Sequence, residues 1–192
     1  AFDEATAILA GDALQPLAFE ILATSYRAEP ELAVDLIAML AHTSGSERLV
    51  GGQMQDLISE GGEPNEIDLS YIHSNKTAAM IKASLNMGFR VGMKGGDQVL
   101  LNRTGEVGHS LGLAFQAVDD LLDITRTSEQ LGKDAGHDDE SGKVTWISLK
   151  GEKAARRLAS DHTEHARQHL ESMGGDSEFL SELMKQMLDR QS

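Results

Sequence analysis

An all-α fold is predicted by three features of the sequence. Aromatic residues make up 4% of the chain, so the side chains that favour strands are scarce, and three prolines leave long stretches free of helix breakers. Ala, Leu, Met, Glu and Gln, all good helix formers, are abundant. Apolar residues recur with a period near 3.6 in segments separated by Gly, Pro or polar clusters. With 192 residues and 40% apolar content the chain can enclose one sizeable core, and a single domain over 1–192 is expected.

Roughly seven helices follow in order. The first is expected from Glu4 to Ser25, ending before Glu29-Pro30, and the second from Pro30 to His42, since proline suits a first helical position. A third covers Ser46 to Ser59 and stops at Gly61-Gly62. The fourth follows Pro64 and runs from Asp68 to Met87, stopping at Gly88. After the Gly-rich corner Gly92 to Gly96, Asp97 is placed to cap a long helix to Ile124. The stretch Thr125 to Lys143 is polar and punctuated by glycine. Two amphipathic segments, Glu152 to Met173 and Asp176 to Arg190, close the chain.

A formal charge of −14 argues against a phosphate-backbone partner, which needs clustered Lys and Arg, and suits recruitment of divalent cations. No cysteine is present, which excludes a disulfide framework and a thiolate metal site and favours the reducing cytoplasm. No run approaches the 18 or more consecutive apolar residues of a membrane span. The opening AFDEATAILAG has no initiator Met and no signal-peptide pattern, so further chain is expected upstream.

The long helix carries AFQAVDDLLDI, residues 114–124. At 100° per residue Gly112, Gln116, Asp119 and Asp123 share one narrow wedge, with Asp120 beside it. Leu111, Phe115, Val118 and Leu122 flank that stripe on one side, and Leu113, Ala117, Leu121 and Ile124 on the other. A wet surface face is broader than this, so the pattern fits a buried helix lining a polar cavity. Buried carboxylates need a cation, and hard oxygen ligands on a rigid helix suit Mg²⁺ shared with phosphate oxygens. A solvated acidic patch at a helix end is the other reading.

Lys76 projects onto the line of Leu69, Ile72, Met80, Ala83 and Met87, a lysine in an apolar stripe, with Thr77 beside it. Either it snorkels to the rim or it serves a polar seam like that of the long helix. In GGQMQDL, Gln53 and Asp56 could line the same cavity or merely solvate a surface. The segment LGKDAGHDDESGKVTW places Lys133 and Lys143 among glycines and carboxylates, the composition of a polar lid beginning just beyond the aspartates.

Taken together, AILAGDAL (Ala7 to Leu14), GGQMQDL (Gly51 to Leu57), IHSNKTAAMIKAS (Ile72 to Ser84), GLAFQAVDDLLD (Gly112 to Asp123) and LGKDAGHDDESGKVTW (Leu131 to Trp146) resemble, in order and spacing, the C-terminal two thirds of the trans-prenyl diphosphate synthases, of the farnesyl and geranylgeranyl type. The resemblance implies a helical isoprenoid-synthase bundle around a central polar cavity, and Mg²⁺ as cofactor. Asp119, Asp120 and Asp123 match the second aspartate-rich motif, the metal site. Lys76, Lys133 and Lys143 match the lysines that contact diphosphate, and Thr77 and Gln116 match the polar pair facing the developing allylic cation. Gln53 is carried over to the diphosphate site and Asp56 to the metal site. The implied reaction condenses isopentenyl diphosphate with an allylic diphosphate in isoprenoid biosynthesis, in a cytoplasmic homodimer without nucleic-acid or membrane-spanning contacts. Departures are His137 in the GxD segment and Trp146-Ile147 where many bacterial members have Tyr-Pro.

The same resemblance places a first aspartate-rich motif before Ala7, so the 192-residue chain is expected to lack part of the catalytic site and to turn over no substrate alone. Two other readings remain at this point. One is a non-catalytic partner subunit of a prenyl synthase. The other is a di-metal carboxylate oxygenase, suggested by the single E-x-x-H pair Glu106 and His109, which would require a second such pair.

Overall fold

The structure is a computed structural model that describes residues 2–60, 62, 65–93, 96–125 and 144–189, with the side chains of 123–125 and 187–189 outside the description. Among the described residues every regular element is helical: α1 (Glu4–Ser25), α2 (Pro30–Ser44), α3 (Leu49–Ser59), α4 (Glu66–Ile72), a π-helical turn (His73–Ala78), α5 (Ala79–Met93), α6 (Gln98–Thr125), α7 (Trp146–Lys150), α8 (Glu152–Met173) and α9 (Glu178–Asp189). The all-α expectation is met. Local chemistry sets several starts: Asp3 accepts from the Thr6 amide at 2.7 Å, Asn65 from Ile67 at 2.8 Å and Asp97 from Val99 at 2.7 Å.

The expected fourth helix differs in kind. It begins at Glu66, passes Gly88 to reach Met93, and is interrupted by the π-helical turn. Asn75 holds that turn from its side chain, donating to the Tyr71 carbonyl at 2.9 Å and accepting from Arg48 at 2.7 Å. A projection at 100° per residue fails across such a turn, because each π turn carries an extra residue. Lys76 therefore leaves the line of Leu69 and Ala83, both buried.

α6 is the central element, packed along α8 on one side and along α5 and the π turn on the other. One core cluster joins Ala117, Val118, Leu121 and Leu122 to Leu69, Trp146, Ala155 and Ala159. A second joins Val107 and Leu111 to Ala166, Leu170 and Met184. Leu111, Val118 and Leu122 on one flank of the aspartate stripe and Ala117 and Leu121 on the other are thus buried, while Phe115 and Leu113 are half-buried. Burying Leu121 at 1% exposure contributes about 1.5–3 kcal/mol by itself.

α7 is absent from the sequence reading. Its five residues fall below the length at which periodicity speaks. Tertiary bonds hold it. Thr145 and Ser148 form a reciprocal cap, at 3.1 and 3.0 Å, and the buried Asp120 carboxylate accepts from the Trp146 amide at 2.9 Å.

α1 stands apart, with Ile8, Leu9, Leu14, Leu17 and Ile21 all exposed. By length and composition it is apolar enough to cross a membrane, although Glu4, Asp12 and Glu20 break the consecutive run. Core helices and signal sequences share that property, so it is weak evidence for a span.

Two histidines make stability depend on pH. Burial holds the His109 imidazole on α6 below its ordinary value of 6.5, helped by Lys82 and Arg48 and opposed by Glu106. Burial likewise lowers His162 on α8, with His165 and His109 adding to it and Asp161 opposing. A folded state with depressed imidazole values binds fewer protons than the unfolded chain as pH falls through 6.5. The melting temperature should be level above pH 7 and decline between 7 and 5.5, above the carboxylate range. His109→Gln should flatten that decline; a slope unchanged by it would refute the assignment.

Candidate functional site

Three helices meet at the π turn, and glycine lets them do so. A Cβ on Gly112 of α6 would lie 2.4 Å from the Ala78 Cα, and one on Gly52 of α3 would lie 2.6 Å from the Lys76 amide nitrogen. The turn is therefore clamped between two backbones. π-helical turns are rare and concentrate at functional sites, and this one carries Lys76 and Thr77.

Lys76 does not snorkel freely. Its ammonium donates to the Asp56 carboxylate at 2.6 Å, with side-chain exposures of 28% and 10%. Gly52 and Asp56 stand four residues apart on one face of α3, so the glycine admits the lysine backbone and the aspartate receives its charge. Asp56 is buried, and its partner is the Lys76 ammonium. Gln53, next to Gly52, is exposed and makes no hydrogen bond to the described residues.

Breaking this pair leaves a partly shielded charge alone. Asp56→Asn is expected to cost about 1–2 kcal/mol, between the values for exposed and fully buried pairs. Thermal denaturation at low and high salt checks it; an unchanged midpoint at low salt would show that the pair contributes nothing.

Thr77 and Gln116 are half-buried. Thr77 adjoins Ala78, the residue that touches Gly112, and Gln116 lies one turn beyond Gly112, about 6 Å along α6. Asp119 follows about 10 Å above Gly112. It is exposed, with no hydrogen bond or ion pair to the described residues. Asp120 is 6% exposed and serves the Trp146 amide. Asp123 lies in the last turn of α6, but its side chain, together with Lys133 and Lys143, lies outside the described residues. Among the described residues no three His, Asp or Glu side chains converge as a metal cluster. The chemistry still suits a hard cation, because Asp119 offers unengaged carboxylate oxygens one turn from Asp123.

Sequence reasoning missed the Asp56–Lys76 pair and the π turn. The signal was Gly52 four residues before Asp56, a helical glycine aimed at a close neighbour. Glu106 is exposed and His109 half-buried. The described residues hold no second E-x-x-H pair with them, so the di-metal reading has no support.

Comparison with known proteins agrees with the geometry. The polyprenyl synthetase family pattern matches residues 1–187. A farnesyl diphosphate synthase of Haemophilus influenzae is 40% identical over 176 residues, covering 92% of this chain and 60% of that protein. Geranylgeranyl pyrophosphate synthase 4 of Arabidopsis thaliana is 39% identical over 178 residues, covering 91% of this chain and 47% of that protein. The chain thus spans about half the length of these curated relatives. Among solved structures, a geranyltransferase of Helicobacter pylori complexed with magnesium and isoprenyl diphosphate superposes with a TM-score of 0.82 at 32% identity, over 98% of this chain and 61% of that one. A helical bundle centred on α6, a π turn bearing Lys76 and Thr77, and a family match along nearly all its length lead to one statement: the chain belongs to the polyprenyl synthetase family.

Proposed function

We propose that the protein of which this chain forms part is a trans-prenyl diphosphate synthase. It joins isopentenyl diphosphate to an allylic diphosphate. The allylic carbon–oxygen bond breaks with its electron pair leaving on the diphosphate. The double bond of isopentenyl diphosphate then forms the new carbon–carbon bond, and the proton released passes to the departed diphosphate. The observation that carries this reading is the clamped π turn, in which Ala78, next to Thr77, packs on Gly112 of the helix that bears Gln116 and Asp119, while Lys76 is held by Asp56 of α3.

Lys76, oriented by Asp56, offers its remaining donors to the leaving diphosphate. The oxygens of Thr77 and Gln116 face the carbon that becomes electron-poor. Asp119 and Asp123, with Asp120 beside them, would hold Mg²⁺, which supplies positive charge to the leaving group when bound. Lys133 and Lys143 add charge from the polar segment that follows, and Gln53 joins them on the diphosphate. Val118 and Leu121, on either side of the aspartate stripe, pack into the core and fix the helix that carries it.

The bare apolar face of α1 suits a homodimer, and the absence of cysteine suits a cytoplasmic setting. Incorporation of radiolabelled isopentenyl diphosphate into allylic acceptors by the full-length protein tests the reaction. Magnesium-dependent product of defined chain length is expected, and no incorporation with any allylic acceptor would overturn the reading. Sedimentation of the same protein is expected to give a dimer, with Leu9→Glu and Leu17→Glu together shifting it to monomer. A monomeric parent would remove the dimer.

A further inference from the structure

A cavity of about 480 Å³ opens between α2, α5 and α6 beneath the π turn. Its residues take no part in the reaction proposed above. His109 stands ten residues before Asp119, about 15 Å down α6. The size suits a small organic molecule better than a bare ion, since small-molecule sites occupy roughly 300–1,000 Å³.

Two cations face this space in a chain of formal charge −14. Lys82 is half-buried and makes no ion pair or hydrogen bond to the described residues. Its stem lies across α6, where a Cβ on Gly105 would come within 3.0 Å of the Lys82 Cε. Salt bridges take up other lysines and arginines of the chain, among them Lys76, Arg90 and Arg167, so an unmatched, half-desolvated ammonium marks a place for an anion. Arg48, exposed at the mouth, donates to Asn75 at 2.7 Å and to the His42 ring at 3.4 Å, which leaves guanidinium donors open. Thr43 is buried beside the cavity. Glu106 is exposed at the rim, and burial lowers the His109 imidazole below its ordinary value. Two cations less one carboxylate leave one net positive charge.

We propose that this cavity binds the phosphate group of a small phosphorylated molecule, with Lys82 and Arg48 as charge partners and Thr43 as a hydrogen-bonding residue. The phosphate lies more than two helical turns from Asp119, so binding requires no metal.

Calorimetric titration of inorganic phosphate and of glycerol phosphate, in chelator without divalent cations, tests this directly. Saturable binding is expected, tighter for glycerol phosphate. Lys82→Met should weaken it at least about tenfold, and Arg48→Lys should weaken it less. Lys76→Met should leave it unchanged. Circular dichroism confirms each variant's fold, and in the parent protein the His109 ring resonance should move on titration, a readout independent of any variant. No saturable binding by about 10 mM, which corresponds to negligible affinity, would overturn the proposal. So would an unmoved His109 resonance, equal binding by Lys82→Met, or loss in Lys76→Met, which would place the phosphate at the diphosphate site instead.

Discussion

Asp119→Ala is expected to lower the condensation rate of the full-length protein by about two orders of magnitude and to leave its melting temperature unchanged. Removing one preorganised charge partner of the reaction raises a barrier by about 3 kcal/mol. Asp119 is exposed and bonded to none of the described residues, so the fold loses nothing with it. Its neighbour behaves differently. Asp120→Ala removes a buried carboxylate from the Trp146 amide, and charge-assisted bonds of this kind contribute about 1.5–3 kcal/mol to stability. Two adjacent aspartates thus divide into one that acts on rate and one that also anchors α7. Isopentenyl incorporation at saturating Mg²⁺, paired with thermal denaturation, measures both. Near-parental turnover in a folded Asp119→Ala protein would remove it from the metal site.

Gly112→Ala is expected to destabilise the fold by about 2 kcal/mol and to slow turnover by about tenfold or more. Alanine improves helix propensity by about 1 kcal/mol, which alone would stabilise α6. Against that, the new methyl would stand 2.4 Å from the Ala78 Cα and 2.6 Å from its Cβ. Backbone cannot swing aside as a flexible side chain does, so the π turn must move away from α6, and overpacking of this kind costs about 1–3 kcal/mol or more. Thr77 adjoins the displaced residue, and misplacement by about 1 Å can cost a hundredfold in rate. Denaturant melts and steady-state kinetics on the same preparation decide the sign. A variant as stable and as active as the parent would mean that the two helices separate without consequence.

Helix positions were largely legible in the residues. α1 and α8 span the segments read from caps, breaks and periodicity, because each carries its own start and stop signals. α6 with its buried flanks was legible for the same reason: both apolar rows lie on one continuous helix. What the residues did not disclose arises between elements. α7 depends on Asp120 from 26 positions away, and the Asp56–Lys76 pair spans two helices. The π turn depends on Arg48 reaching Asn75 and on two glycines belonging to other helices. Single-helix projection at a fixed angle has no access to those contacts, which is why it placed Lys76 on the apolar line.

The turn at His73–Ala78 also gives chain length a meaning in this region that residue identity lacks. A π turn amounts to one residue inserted into an α-helical frame. Deleting any one residue between 73 and 78 would let the helix run on in uninterrupted α form and keep everything after it in phase, because the wider turn holds one residue more for nearly the same rotation. The face of Ala79–Met93 that meets α6, including Lys82 beside Gly105 and Gly108, would stay on its glycines, and the change would fall on the stretch that carries Lys76 and Thr77. An indel in the regular α-helix that follows has the opposite effect, turning the rest of it by about 100° off α6. A shortened turn would leave a folded copy with a failed site.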